Sequence, residues 1–145
     1  MQYFNDYHWQ RISLRDLGLV LQLGHGGENC PNSNVKRDAI AMTVLDCNGV
    51  HDVTVMFCNC GLVFGMEATE VNQLIRIGWY PATKEAPRTV ATFNVLDEYD
   101  TITCEGKISG YHFYKSLVRL TDVTLCLPTP VSLNGLRRYT IVLIL

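Results

Sequence analysis

The stretch IAMTVLDCNGVHDVTVMFCNC, residues 40–60, decides the fold. Two alternating runs rich in β-branched residues flank Asn48-Gly49, and an Asn-Gly pair in that setting is the strongest short-range signal for a β-hairpin. The first arm covers residues 40–45, the connection is Asp46-Cys47-Asn48-Gly49, and the second arm covers 50–58. Asn-Gly predicts a type I′ turn, because both central residues of that turn need positive φ. Along the second arm the period of two puts His51, Val53, Val55 and Phe57 on one face, with Asp52, Thr54, Met56 and Cys58 on the other. The apolar face is expected to pack inward. The arm then enters Cys58-Asn59-Cys60-Gly61, where the same period turns both thiols to one side and glycine permits a tight reversal.

On the N-terminal side, residues 13–23 read SLRDLGLVLQL. Leu14, Leu17 and Leu21 have helical spacing, whereas Gly18 and the alternation of Leu19, Leu21 and Leu23 permit a short strand, so both readings stand. Residues 24–34, GHGGENCPNSN, hold three glycines, a proline and three asparagines and predict a loop. On the C-terminal side, residues 67–77 predict a short helix whose early acidic residues suit the helix dipole and which Gly78 ends. Residues 79–83 and 89–93 look extended, separated by Lys84-Glu85-Ala86-Pro87. Residues 94–120 carry Leu96, Tyr99, Thr103, Tyr111, Tyr114, Leu117 and Val118 at helical spacing, and so predict one or two helices broken near 106–110. The fold class is α+β, a small domain with a central hairpin and C-terminal helices.

Composition bounds the function. The 145 residues are 48% hydrophobic and 18% charged, with mean hydropathy +0.08, which fits one domain able to build a core without covalent staples. Twelve Lys and Arg against fourteen Asp and Glu give a net charge of −2, which argues against a basic scaffold held on nucleic acid by phosphate neutralisation. No run of 18 apolar residues exists, and Asp6, Arg11, Arg15 and Asp16 interrupt any signal-peptide pattern, so the chain reads as intracellular and not membrane-bound. In a reducing compartment the six cysteines, at 30, 47, 58, 60, 104 and 126, are expected to be free, buried or metal-bound and not paired.

Four soft or borderline ligands can be assembled from two loops: His25 and Cys30 from the glycine-rich segment, Cys58 and Cys60 from the end of the hairpin. Zinc favours a tetrahedron of such donors, and a closed set without an open position is structural. Ordinary buried thiols are the rival reading, since free cysteine is among the most buried residue types. Cys47, Cys104 and Cys126 have no ligand at useful spacing and read as structural or incidental. His51 opens an apolar strand face and reads as a satisfied core or rim histidine, while His8 and His112 lie among aromatics and read as packing. No glycine-elbow nucleophile appears, and GHGG lacks the Lys-Ser/Thr that completes a phosphate-binding loop. Asp46, at the end of a strand entering a hairpin, is either a turn former or the first carboxylate of a metal-dependent nuclease; Asp97, Glu98 and Asp100 read as a solvated helix face.

The order of these pieces carries a resemblance. The block Leu23-Gly24-His25 with Cys30, the Asn48-Gly49-Val50-His51 turn, the Cys58-x-Cys60 pair and Trp79-x-Pro81-Ala82-Thr83 together resemble the CxC-like cysteine-cluster domain associated with Kyakuja-Dileera-Zisupton (KDZ) transposases of fungal transposons. The resemblance covers about residues 9–122, so residues 1–122 are expected to form the cysteine-cluster domain and 123–145 a divergent apolar tail. It implies that Cys30, Cys58 and Cys60, with His25 as fourth donor, bind a structural Zn²⁺. It further implies a non-enzymatic accessory domain, nuclear in location, that recognises DNA or another transposase domain and takes no small-molecule substrate. The family carries more cysteines and histidines upstream and a nuclease-type domain downstream, so this chain is expected to be a fragment. Its tail ends on the apolar run 139–145, too short to span a bilayer, which reads as an added strand or as the product of a decayed gene copy. The alternatives are a cut-down nuclease using Asp46 and an inactive pseudogene fragment.

Overall fold

Alternating β-branched residues on both sides of a tight reversal do form the hairpin. In the computed structural model, which describes residues 2–4, 6–7, 9–28, 39–58, 62–63, 66–67 and 69–121, β4 (Ile40–Asp46) and β5 (Gly49–Met56) are antiparallel. Their register pairs Asp46 with Gly49, Val44 with His51, Met42 with Val53 and Ile40 with Val55. The turn corrects the type I′ expectation. Cys47 and Asn48 are the two connecting residues and neither has positive φ; the unusual backbone falls one residue later, on Gly49 at φ 135°. A tertiary contact explains the displacement: a Cβ on Gly49 would run into Thr121 Oγ1, so no other residue fits there.

The hairpin lies inside a five-stranded mixed sheet of order β3-β5-β4-β9-β8. Strand β3 (Val20–Gln22) runs parallel to β5, β9 (Thr89–Thr92) runs parallel to β4, and β8 (Trp79–Pro81) is antiparallel to β9. Of the two alternatives for segment 13–23 the strand is the one formed: residues 14–18 make a turn and not a helix, and the strand follows. Two short antiparallel ribbons, β1 (Gln2–Phe4) with β2 (Trp9–Arg11) and β6 (Leu62–Val63) with β7 (Met66–Glu67), were not foreseen in the sequence pattern.

Both faces of the sheet are covered. Val53, Val55 and Phe57 are buried as their alternation predicts, joined by Met42, Val44 and Val90 from neighbouring strands and by Leu23 and Leu74 from above. Leu74 belongs to α1 (Glu70–Arg76), a shorter helix than the predicted 67–77 because Thr69 caps it by accepting from Asn72 N at 3.2 Å, while Glu67 lies in β7. On the opposite face Leu45, Val50 and Ala91 meet Val95 and Tyr99 of α2 (Phe93–Gly106) and Phe113, Tyr114, Leu117 and Val118 of α3 (Gly110–Thr121). Phe93 thus opens a helix and does not end the preceding strand, because Thr92 Oγ1 caps it by accepting from Val95 N at 3.2 Å. Lys107, left-handed at φ 51°, breaks the helical region where expected.

Among the described residues no helix is long and apolar enough to cross a membrane. The proposed tail, 123–145, and Cys30, Cys60, Cys126 and His8 lie outside the described residues.

The end of α3 and the tip of the hairpin hold each other. Val50 N donates to Thr121 Oγ1 at 2.6 Å, and that hydroxyl donates onward to Leu117 O at 2.7 Å. Val in place of Thr121 removes the hydrogen bond from the Val50 amide, which is expected to cost about 0.5–1.5 kcal/mol. Thr101, whose hydroxyl reaches Asp97 O from an exposed position, provides the control: Thr101→Val is expected to change stability by no more than about 0.5 kcal/mol. Urea unfolding of both variants checks the difference, and equal effects would refute the coupling of helix end to hairpin tip.

Candidate metal centre

Cys58 follows directly on β5, where the strand is losing its neighbour. The parallel ladder to β3 is extended by Leu23 N donating to Met56 O at 2.8 Å, after which the chain turns away at Gly24. The backbone of Cys58 still needs partners, because an unmet buried donor or acceptor costs about 1–3 kcal/mol. Gln73 on α1 supplies both: Cys58 N donates to Gln73 Oε1 at 2.8 Å, and Gln73 Nε2 donates to Cys58 O at 2.8 Å. One side-chain amide thus substitutes for a missing strand. Cys58 is fully buried and Gln73 is 2% exposed.

Gly24 brings the second donor into place. Its φ of +88° suits glycine alone, and a Cβ there would stand 2.8 Å from Cys58 Cβ and 3.7 Å from Gln73 Oε1. The chain therefore lies directly on the cysteine and delivers His25, at φ +47° in the short 3₁₀ turn His25–Gly27. His25 Nε2 is 3.1 Å from Cys58 Sγ, a hydrogen-bonding separation. Two ligands of a tetrahedral zinc, at about 2.0 Å for nitrogen and about 2.3 Å for sulfur, stand about 3.5 Å apart. A shift of about half an ångström lets this imidazole and thiol share one ion.

Of the four ligands expected from sequence, His25 and Cys58 are brought together, while Cys30 and Cys60 lie outside the described residues. Among the described residues no group of three His, Cys, Asp or Glu side chains gathers to hold a metal. Gln73 was missed. Nothing in the pattern of a short helix marks one amide as buried, and only its position beside the end of β5 gives it a task.

The remaining candidates have structural partners. Asp46 Oδ1 accepts from Thr92 Oγ1 at 2.7 Å, so its carboxylate steadies the residue that caps α2. Burial, a hydrogen bond to the Glu98 side chain and the negative charges of Glu98 and Asp46 together push the Cys47 thiol up to about 11. Asp97, Glu98 and Asp100 are all exposed on α2, as expected of a solvated face. His51 Nε2 lies 2.6 Å from Asn48 Oδ1, and His112 Nδ1 lies 3.0 Å from Ser109 Oγ at the start of α3. Cys104 is exposed on α2.

The sheet, its helices and the His25–Cys58 contact all fall within one recognisable region. A family model described as the CxC2 like cysteine cluster associated with KDZ transposases matches residues 14–125. No curated protein and no solved structure matches the chain.

Two outcomes test this geometry. Gly24→Ala must accommodate both a positive φ and a collision with Cys58, so it is expected to destabilise the protein by about 1–3 kcal/mol in chemical denaturation. At pH 8 the raised pKa makes the Cys47 thiolate scarcer than that of a thiol with the ordinary value of 9.0, and its greater intrinsic nucleophilicity offsets this only in part, so iodoacetamide should label it roughly tenfold more slowly. Glu98→Gln removes the nearest charge and should speed that labelling, as peptide mass spectrometry would reveal; unchanged kinetics would refute the Glu98 contact.

Proposed function

The chain belongs to the CxC2-like cysteine clusters associated with KDZ transposases, and from that premise we propose that it is a zinc-binding, non-catalytic accessory domain serving recognition in transposition. The observation that carries the reading is the 3.1 Å contact between His25 Nε2 and Cys58 Sγ, a nitrogen donor at a half-buried position facing a sulfur donor that is buried and braced. This donor chemistry fits zinc, which takes imidazole and thiolate together. Cys30 and Cys60 complete the proposed set with His25 and Cys58. An ion held by these four residues would supply a structural crosslink, since four protein donors would leave no position for a hydrolytic water.

The chain's own residues define what such a crosslink would join. Cys58 is fixed to the sheet through Gln73, and His25 is carried by the segment that leaves β3. A zinc ion held by both fastens the glycine-rich loop to the end of the hairpin. The net charge of −2 favours recognition of a protein surface or a small DNA footprint over a broad phosphate-neutralising contact. A nuclear location follows from a role in transposition. The hydrogen bond that Asp46 Oδ1 accepts from Thr92 Oγ1 supports a structural role for that carboxylate over the nuclease reading.

Zinc stoichiometry tests the proposal. Protein of residues 1–145 purified from zinc-supplemented cells is expected to carry one zinc per chain by native mass spectrometry. Cys58→Ser and His25→Gln are each expected to lower zinc retention at least tenfold against a competing chelator. A wild-type chain that retains no zinc would overturn the reading.

A further inference from the structure

We propose that Gln73 is a positioning residue of the metal site, holding Cys58 so that its thiol stands against His25 before an ion arrives. The inference rests on the zinc reading above and adds the residue that sets how tightly the ion is held. Gln73 is the buried polar residue of the described core, and a leucine would fill its place in the apolar packing beside Leu74 without any polar group to satisfy. Its carboxamide instead hydrogen-bonds both backbone groups of Cys58, and that residue is a proposed ligand.

Position explains why this matters for ligation. Strand β5 ends at Met56, so ladder pairing no longer defines the backbone at Cys58. Two contacts replace it. Gln73 grips the amide and the carbonyl, and Gly24 presses against the Cβ from the other side. A Cβ on Gly24 would also touch Gln73 Oε1, so glycine, cysteine and glutamine form one packing unit around the thiol. With the peptide fixed on both polar groups, the direction of the Cα–Cβ bond is fixed, and the sulfur is aimed at His25 Nε2. A ligand ordered during folding loses no further freedom on capturing its ion, and groups that orient metal ligands typically change affinity by about 10–100-fold.

The experiment uses the full chain, with zinc affinity measured by competition against a chromophoric chelator. Gln73→Leu is expected to weaken zinc about 10–100-fold. Gln73→Met, closer in length and flexibility, serves as a second variant with the same expectation. Leu74→Ala loosens the same helix without touching Cys58; it should lower the thermal midpoint yet leave affinity within about threefold. Cobalt(II) substitution adds a signature that stability alone does not move: the sulfur-to-cobalt charge-transfer band should saturate at higher cobalt in the Gln73 variants and at the wild-type concentration in Leu74→Ala. Unchanged affinity in the Gln73 variants overturns the proposal. So does an equal loss in Leu74→Ala, or failure of both Gln73 variants to fold, since Gln73 would then be a stability element only. A wild type that takes up no zinc removes the metal reading itself, a different failure visible before any variant is made.

Discussion

A strand pair that packs a core against each of its faces must sort its side chains between two interiors, and this constraint governs the rest of the molecule. In β4 and β5 each buried residue has to suit one of the two. Val44 and Val53 go to the α1 side with Leu74, while their neighbours Leu45 and Val50 go to the α2–α3 side with Tyr99 and Leu117. A one-residue slip in register would exchange the two sets and place Thr43 and Asp52 beneath helices. Instead those two polar residues face each other across the ladder, with Thr43 Oγ1 donating to Asp52 Oδ1 at 3.1 Å, on the part of the face beyond the helical cluster. Edge pairing follows from the same arrangement: β3 on one side and β9 on the other satisfy the hairpin's outward backbone groups.

The hairpin, the extended segments at 79–81 and 89–92 and the broken helical region were legible because each rests on local periodicity. The stripe Phe113, Tyr114, Leu117 and Val118 is a helical pattern whatever it packs against. What escaped was decided elsewhere in the chain. The turn expected on Asn48-Gly49 moved by one residue because Gly49 sits under Thr121, a contact spanning most of the domain. The helix expected from Glu67 starts only at Glu70, where Thr69 can cap it. Segment 13–23 carried two patterns because it forms a turn and then a strand, and short windows average over such a change. The parallel partners of the hairpin were equally invisible, since pairing between distant segments leaves no spacing rule.

The candidate site divides the same way. His25 and Cys58 were identifiable by chemistry, because few residue types bind soft metals and their number in the chain is small. Their 3.1 Å approach depends on a glycine at positive φ and on an amide from a third segment, neither of which is marked by residue type alone. Gln73 illustrates the limit. In a helix of seven residues one glutamine looks like any surface residue until the end of β5 is placed beside it.

The end of β5 also explains why the proposed site lies at this point and not elsewhere along the strand. Within the sheet, backbone groups satisfy one another, and side chains are committed to one core or the other. Beyond Met56 the neighbouring chain departs through Gly24, so the backbone of Cys58 becomes available to a side chain and its thiol becomes available to an approaching loop. The cost of an unsatisfied buried peptide forces a partner such as Gln73, and that partner in turn fixes the thiol. A rigid position facing an irregular loop therefore arises from the way the sheet terminates. The apolar cores determine where the strand ends, and the end of the strand determines where a ligand can be held.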